Sequence, residues 1–495
     1  MKTLILAGAS ALALAIGGTA VAQDSASALT PGIADCSTTS SGNCSDIEQT
    51  GTDEAADVTQ IGNGQSLSEI DQDGEDNTAT VNQTNDAGAA NESEIEQTAS
   101  ADRATAEVDQ NGAGNLSSVV QRGNDLLADV GQNGVGNSSV ISQTSSADFA
   151  ITTVQQNGSQ NVSDVTQTGN FASVSVVQTN DELETLGNNS LVSQTGDAAT
   201  VVVTQSGQEN LSDVGQTADA ALVTVDQTGA NNQSLVDQAG ALVIVDVDQF
   251  GDMNVSKVDQ VADGAFARVN QLGDENTASI VERAESSRST IVQTGDMNTA
   301  AIGQADARNL IATVRGRPIT IGAIESDVAS IAQTGDGNKA SVLQFGINQT
   351  ATITQIGSGN VSGTPDSITD VGILQVGEDQ VANVSQSGDR NRSNVSQGVD
   401  SDLVIVSGAS SSRNFALVNQ DGNNGISSIQ QDGIDNKAQL TDTGEFNEST
   451  IIQAGNFNVA DVAQGGAGNL STVNQTGNGN TALVGQNASV PTGTF

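Results

Sequence analysis

Any chemistry in this sequence would have to come from carboxylates and side-chain amides. The 495 residues hold 60 Asp and Glu against 15 Lys and Arg, with two Cys and no His, Trp or Tyr. Without imidazole there is no Ser/His or Cys/His nucleophile pair, and two thiols without His do not make a zinc cage. The acids follow the periodic slots described below, and no set stands apart as an acid/base pair in a groove would. An enzyme is therefore not expected, and neither catalytic residues nor a resident metal or cofactor are assigned. A formal charge of −45 also excludes anionic nucleic acid as a natural partner.

The amides are the more informative group, because each carries both a donor and an acceptor. Gln205, Gln216, Gln227, Gln238, Gln249, Gln260 and Gln271 follow one another at steps of 11, and the step continues through Glu282, Gln293 and Gln304. It resumes at Gln333, Gln344 and Gln355, and again from Gln420 to Gln486 with Asp442 in one slot. From Gln49 to Gln486 there are 36 such anchors, and 27 of the 35 gaps between them equal 11, so the step is a structural repeat.

Each step reads Gln-x-Gly-x-x-Asn-x-(Ala/Ser)-x-(Ile/Val)-x-Gln. Clean copies are Gln72, Gly74, Asn77, Ala79, Val81, Gln83 and Gln293, Gly295, Asn298, Ala300, Ile302, Gln304. A third is Gln475, Gly477, Asn480, Ala482, Val484, Gln486. The same slots hold Gln205, Gly207, Asn210 and Gln216, then Gln249, Gly251 and Asn254, then Gln271, Gly273 and Asn276. Further on they hold Gln333, Gly335 and Asn338; Gln431, Gly433 and Asn436; Gln453, Gly455 and Asn458; and Gln464 with Asn469.

From Asn to the next Gln the marked residues are two apart, the period of a strand, so they share one face. The Gly-containing segment between Gln and Asn suits a tight turn. Each 11 is therefore one strand plus one turn. A flat meander would leave the marked face uncovered, and no amphipathic helix is available to cover it. Folding two steps into a 22-residue rung buries both faces against each other. Successive rungs then stack as parallel, in-register strands about 4.8 Å apart, where Asn and Gln amides pair with their copies above and below. The expected fold is an all-β parallel β-solenoid of about 18 rungs with Asn/Gln ladders.

Residues 1–22 read as a secretory signal: Lys2, an apolar run from Leu4 to Ile16, and small residues up to Ala22. No later segment is long and apolar enough for membrane insertion. A Ser/Thr-rich leader, 23–46, carries Cys36 and Cys44, expected to form one small disulfide loop in an oxidising compartment, with free or intermolecular thiols as the alternative. A first repeat array spans 47–304, an irregular Arg-containing insertion 305–332, a second array 333–488, and a tail 489–495.

The arrangement Ser-x5-Gln-x-Gly-x2-Asn-x-Ala-x3-Gln resembles the curlin repeat of bacterial curli fibres. Ser66, Gln72, Gly74, Asn77, Ala79 and Gln83 match it throughout, as do Ser287, Gln293, Gly295, Asn298, Ala300 and Gln304. The resemblance implies a subunit Sec-exported from a bacterium to the cell surface, assembling with itself or related curlin-like subunits into functional amyloid fibres (a pilus or fimbrium) for adhesion and biofilm matrix. It also implies a nucleating subunit and an outer-membrane export channel as partners. The alternative is a monomeric acidic β-solenoid adhesin or stalk, with polymerisation otherwise expected at the first rungs near Ile47 and the last near Val484.

Stacking brings outward acids of neighbouring rungs close together, where like charges oppose assembly. Asp226, Asp237, Asp246, Asp248 and Asp259 read as gatekeepers against premature aggregation, as weak Ca2+ ligands bridging rungs, or simply as a solvated acidic face. The insertion holds Arg308, Arg315, Arg317 and Pro318, and reads as a docking loop or joint, or as a bulged rung whose arginines neutralise local acids.

Overall fold

A computed structural model describes residues 42–487, apart from 63–64, 86–87, 145, 182–185, 305–312, 315–316, 319–325, 364–370 and 399–411. The signal segment 1–22, Cys36 and the tail 489–495 lie outside the described residues, as do Arg308 and Arg315. The chain divides at Met253/Asn254 into two compact units. Each is a parallel β-solenoid with the 22-residue coil expected from the repeat, and no helix occurs among the described residues.

In the first unit 18 strands run two to a coil, giving nine coils. Each strand pairs with the next but one. Thr200–Gln208 pairs with Leu222–Ala230, and that with Ile244–Phe250, which sets Gln205, Gln227 and Gln249 in one line. On the facing sheet Asn189–Gln194, Leu211–Gln216 and Gln233–Gln238 align Gln194, Gln216 and Gln238. Alternation decides what is buried: in Leu211–Gln216 the side chains of Ser212, Val214 and Gln216 are inside, while Leu211, Asp213 and Gly215 are half-exposed. The core is thin, a single layer of Val and Ile such as Val203, Val214, Val225 and Val236, all fully buried.

The second unit keeps this register through irregular spacing. Arg288–Thr294 pairs with Val328–Thr334 and aligns Gln293 with Gln333, 40 residues on. Gln355 aligns with Gln386 after 31 residues, and Gln386 with Gln420 after 34. Strands resume in register because a one-residue slip would turn the buried Val, Ser and Gln outward. The stretch expected as an irregular insertion contains one short antiparallel pair, Thr313–Val314 with Arg317–Pro318.

The turns are tight enough to demand unusual backbone. Gly74, Gly207, Gly251, Gly273, Gly295, Gly335, Gly433, Gly455 and Gly477 all have positive φ. Gly207 shows why: at φ 106° a Cβ would lie 2.1 Å from the carbonyl oxygen of Gly229 in the next coil. Corners also pass through the left-handed region at positions where the sequence does not insist on Gly, two residues after such a Gly at Met253 and Met297 and alone at Phe171, Ala220 and Leu242. Phe171, Ala220, Leu242, Met253 and Met297 hold φ of 52–57°, which costs an L-residue about 1–2 kcal/mol. Leu242 is 67% exposed and recovers little of this by packing.

Two substitutions therefore move stability in opposite directions. Gly207→Ala destabilises by about 1–3 kcal/mol, whereas Leu242→Gly stabilises by up to about 1 kcal/mol. Denaturant midpoints of the two variants against the parent chain measure both signs.

Candidate functional site

The functional surface is built from the buried amide ladders, because they fix what the ends of the fold expose. In the first unit Gln72 donates from Nε2 to Oε1 of Gln97, Gln83 to Gln110, Gln205 to Gln227 and Gln216 to Gln238, at 2.8–3.1 Å. Gln249 accepts from Gln227 at 2.8 Å. In the second unit Gln271 donates to Gln293, Gln293 to Gln333, Gln304 to Gln344 and Gln333 to Gln355, each at 2.9 Å. Near the C-terminus Gln431 donates to Gln453 and Gln453 to Gln475 at 2.8 Å, and Gln464 to Gln486 at 2.7 Å. Every one of these bonds points toward the C-terminal end.

Backbone partners enforce that direction. Gln227 Nε2 also donates to Leu211 O across the core at 3.0 Å, as Gln205 does to Asn189 O. A flipped amide would set oxygen against oxygen.

The Asn ladders run the other way. Asn210 donates from Nδ2 to Oδ1 of the preceding Asn188 at 2.9 Å and to Gly229 O at 2.8 Å, while its own Oδ1 accepts the backbone N–H of Asn232. Asn276 donates back to Asn254, Asn298 to Asn276 and Asn338 to Asn298, each at 3.1 Å. Asn458 bonds Asn436, Asn469 bonds Asn447, and Asn480 bonds Asn458, all in the same sense. The amide dipoles of the two ladder types therefore oppose one another along the stack.

The Asn residues of the repeat fall on two different corners. One corner carries Asn through most coils of both units. On the other, Asn77 bonds Ala101 O and accepts from Ala104 N–H, and the line then turns apolar with Ala104, Leu126 and Ala150, part of a small cluster with Ala101 and Ala147. Asn returns on this corner only at Asn414, Asn436, Asn458 and Asn480.

Serine in the Ala/Ser slot brings a cost that the sequence pattern hides. Ser139, Ser163, Ser190, Ser212 and Ser234 lie in register, and the buried Oγ of each has no hydrogen-bond partner. Farther along the same sheet the slot holds Ala278, Ala300 and Ala340, where the problem does not arise.

Outward carboxylates also stack. Asp46, Glu69 and Glu94 align across three strands, with Glu48, Asp71 and Glu96 beside them. Burial first, and then these neighbours, push the Glu69 and Glu94 carboxyls above their usual range. Burial and Asp248 raise Asp226; burial and Asp237 raise Asp213. Counter-charges are few: Arg103 bonds Asp125 in the next coil at 2.6 Å, and Arg413 bonds Asp435 at 2.8 Å, each holding its Asp below the usual range. Among the described residues no group of three or more Cys, Asp or Glu is arranged to hold a metal ion. Cys44 opens the first strand and is disulfide-bonded.

With the ladders in view, comparison with known families gives one result. The model of the curlin associated repeat matches residues 101–134 and 328–357. At these two places the chain carries curlin repeats. The first match covers strand Thr105–Ala113, strand Leu116–Gln121 and most of Leu127–Val135; the second covers Val328–Thr334, Lys339–Ile347 and Thr350–Ile356. Each match thus spans more than one full coil. No curated protein matches the chain.

If the ladder holds the coils together, its members are not replaceable by apolar isosteres. Gln227→Leu removes the amide that bridges Gln205 Nε2 to Gln249 Oε1 and the bond from Gln227 Nε2 to Leu211 O, and is expected to cost about 1–3 kcal/mol, since Gln205 Nε2 keeps its bonds to Asn189 O and Asn210 O. Hydrogen exchange should rise in the coils on both sides of residue 227. Ser190→Ala should do the reverse and slow local exchange, since it removes an unpaired hydroxyl.

Proposed function

We propose that this protein is a secreted structural subunit whose curlin coils stack end to end, through copies of itself or related subunits, into amyloid-like extracellular fibres for adhesion and biofilm matrix. The observation that carries this reading is the polarity of the Gln ladder. Among the described residues, Gln49 and Gln60 in the first coil donate forward but no donor reaches their Oε1. Among the described residues, Gln475 and Gln486 donate to Val459 O and Leu470 O and meet no further Gln. Within each unit the Gln ladder has one sense, with acceptors toward the N-terminal coil and donors toward the C-terminal coil, so a second copy set on it continues the ladder head to tail and not head to head.

The backbone edges agree with this. Among the described residues, Cys44–Gln49 and Ala55–Ile61 each pair on one side, as do Leu470–Thr476 and Thr481–Gln486. Ile47 is 43% exposed at the first edge, whereas its counterpart Ile70 one coil on is buried. Open parallel edges with a part-exposed apolar residue are templates for another strand. A structural role needs no catalytic group. A nucleating subunit, an outer-membrane export channel and weak Ca2+ binding by the stacked acids belong to the same proposal and rest on the family resemblance and on the acid columns.

The test is growth of the chain lacking residues 1–22, followed by amyloid-dye fluorescence and microscopy, with and without calcium. Fibres that seed fresh protein and give a reflection near about 4.8 Å are expected, and Ile47→Lys should slow their growth without loss of β-signal in circular dichroism. A β-rich chain that stays monomeric under all these conditions would leave the adhesin or stalk reading in its place.

A further inference from the structure

Three buried carboxyls of the second unit occupy slots that elsewhere hold amides. Glu282, fully buried, stands between Gln260 and Gln304 in the Gln line. Gln260 Nε2 donates to its Oε2, as the ladder requires, but its Oε1 has no partner. An amide here would donate forward to Gln304; instead, Gln304 Oε1 is met by the Ser289 hydroxyl at 3.3 Å. Asp442 stands between Gln420 and Gln464, and here the donor to the carboxyl comes from the Asn line while Gln420 Nε2 donates to Arg392 O. Asn447 donates to Asp442 Oδ1, the buried Oδ2 has no partner, and the Ser449 hydroxyl takes over Gln464 Oε1. Asp327 fills an Asn slot: its Oδ1 accepts the N–H of Gln349 as Asn would, but its Oδ2 is buried and unpartnered. In the coil before it, the Oγ of Ser287 is buried and unpartnered too.

We infer that Glu282, Asp327 and Asp442 are proton-binding sites that couple the closure of the second unit's ladders to pH. An ionised carboxyl only accepts, so it leaves one ladder donor missing and a charge in the core. A neutral one carries an O–H in place of the amide N–H and restores the line. Few opposite charges are at hand to hold the ionised form. Around Glu282 the charged groups of the adjoining strands are Lys257, Asp259, Arg268 and Arg288, of which Arg288 favours ionisation weakly and lies over the Phe266 ring. Glu285 and Arg288 lie in the coil preceding Asp327; Asp421, Asp432, Glu448 and Asp461 lie on strands beside Asp442, and Lys437 and Glu445 on its own strand. Burial accordingly pushes Glu282 up to about 8 and Asp327 up to about 7, and raises Asp442.

The sign follows directly. The folded chain keeps protons that the unfolded chain releases near the ordinary carboxyl range, so stability is greatest in acid and is lost as pH rises through about 7–8. This holds whether or not the coils stack into fibres. The experiment is denaturant unfolding of the full chain from about pH 5 to about pH 9, comparing the parent with the triple variant Glu282→Gln, Asp327→Asn, Asp442→Gln. A second triple, Asp197→Asn, Asp219→Asn, Asp237→Asn, removes the same charge from outward positions of the first unit. The inference expects the ladder triple to unfold at a higher midpoint than the parent at about pH 9 and to lose most of the midpoint's fall between pH 5 and 9, with the outward triple keeping it. A ladder triple that falls with pH as steeply as the parent, or an outward triple that flattens the curve equally, would overturn it.

Discussion

The constraint on which this molecule depends is that the buried amides meet copies of themselves in the coils above and below along most of each ladder. Gln and Asn are costly in a thin core unless both ends of the amide are used, and in-register parallel stacking supplies partners for both ends along the ladders. Much else follows from that. Strands pair with the next but one, the inward slots repeat at two-residue spacing, and the chain accommodates extra residues only where a coil can still return with Gln over Gln, as between Gln293 and Gln333. The 4.8 Å approach of neighbouring coils also excludes a Cβ at turns such as Gly207.

Most of this was legible in the sequence because the cause is periodic. The step of 11, the parity of Asn, Ala, Val and Gln, and the absence of a covering helix together left a two-strand coil as the way to bury the marked face. Less legible were features set by the third dimension. Which way Gln227 donates depends on Leu211 O across the core, a partner that no local pattern names. The two Asn corners look alike in the repeat, yet one turns to Ala and Leu over several coils because those positions lie against each other there. The left-handed corners at Phe171, Leu242 and Met253 break the rule that such turns take Gly or Asn, and nothing in the residue types announces them. Asp442 and Glu282 were visible as departures from the Gln slots, but Asp327 was not, since it follows a stretch where the repeat is interrupted.

Charge works against the same geometry that satisfies the amides. Register that places Gln over Gln also places Asp226 beside Asp248 and Glu69 between Asp46 and Glu94. The stack is thus a balance between short, directional bonds inside and repulsion outside, with few cations, such as Arg103 and Arg413, tying successive coils at the corners. Like charges stacked on the outward faces oppose the approach that the inward amides require.

The most direct test of the account is the pairing of residues 22 apart. Nitroxide labels placed at Thr204 and Asp226, outward neighbours on paired strands, should couple strongly, whereas labels at Thr204 and Gly215, on strands of the two facing sheets, should not. Strong coupling of the 204/215 pair with none at 204/226 would mean that successive strands lie side by side in a flat meander, and the ladder account would be wrong.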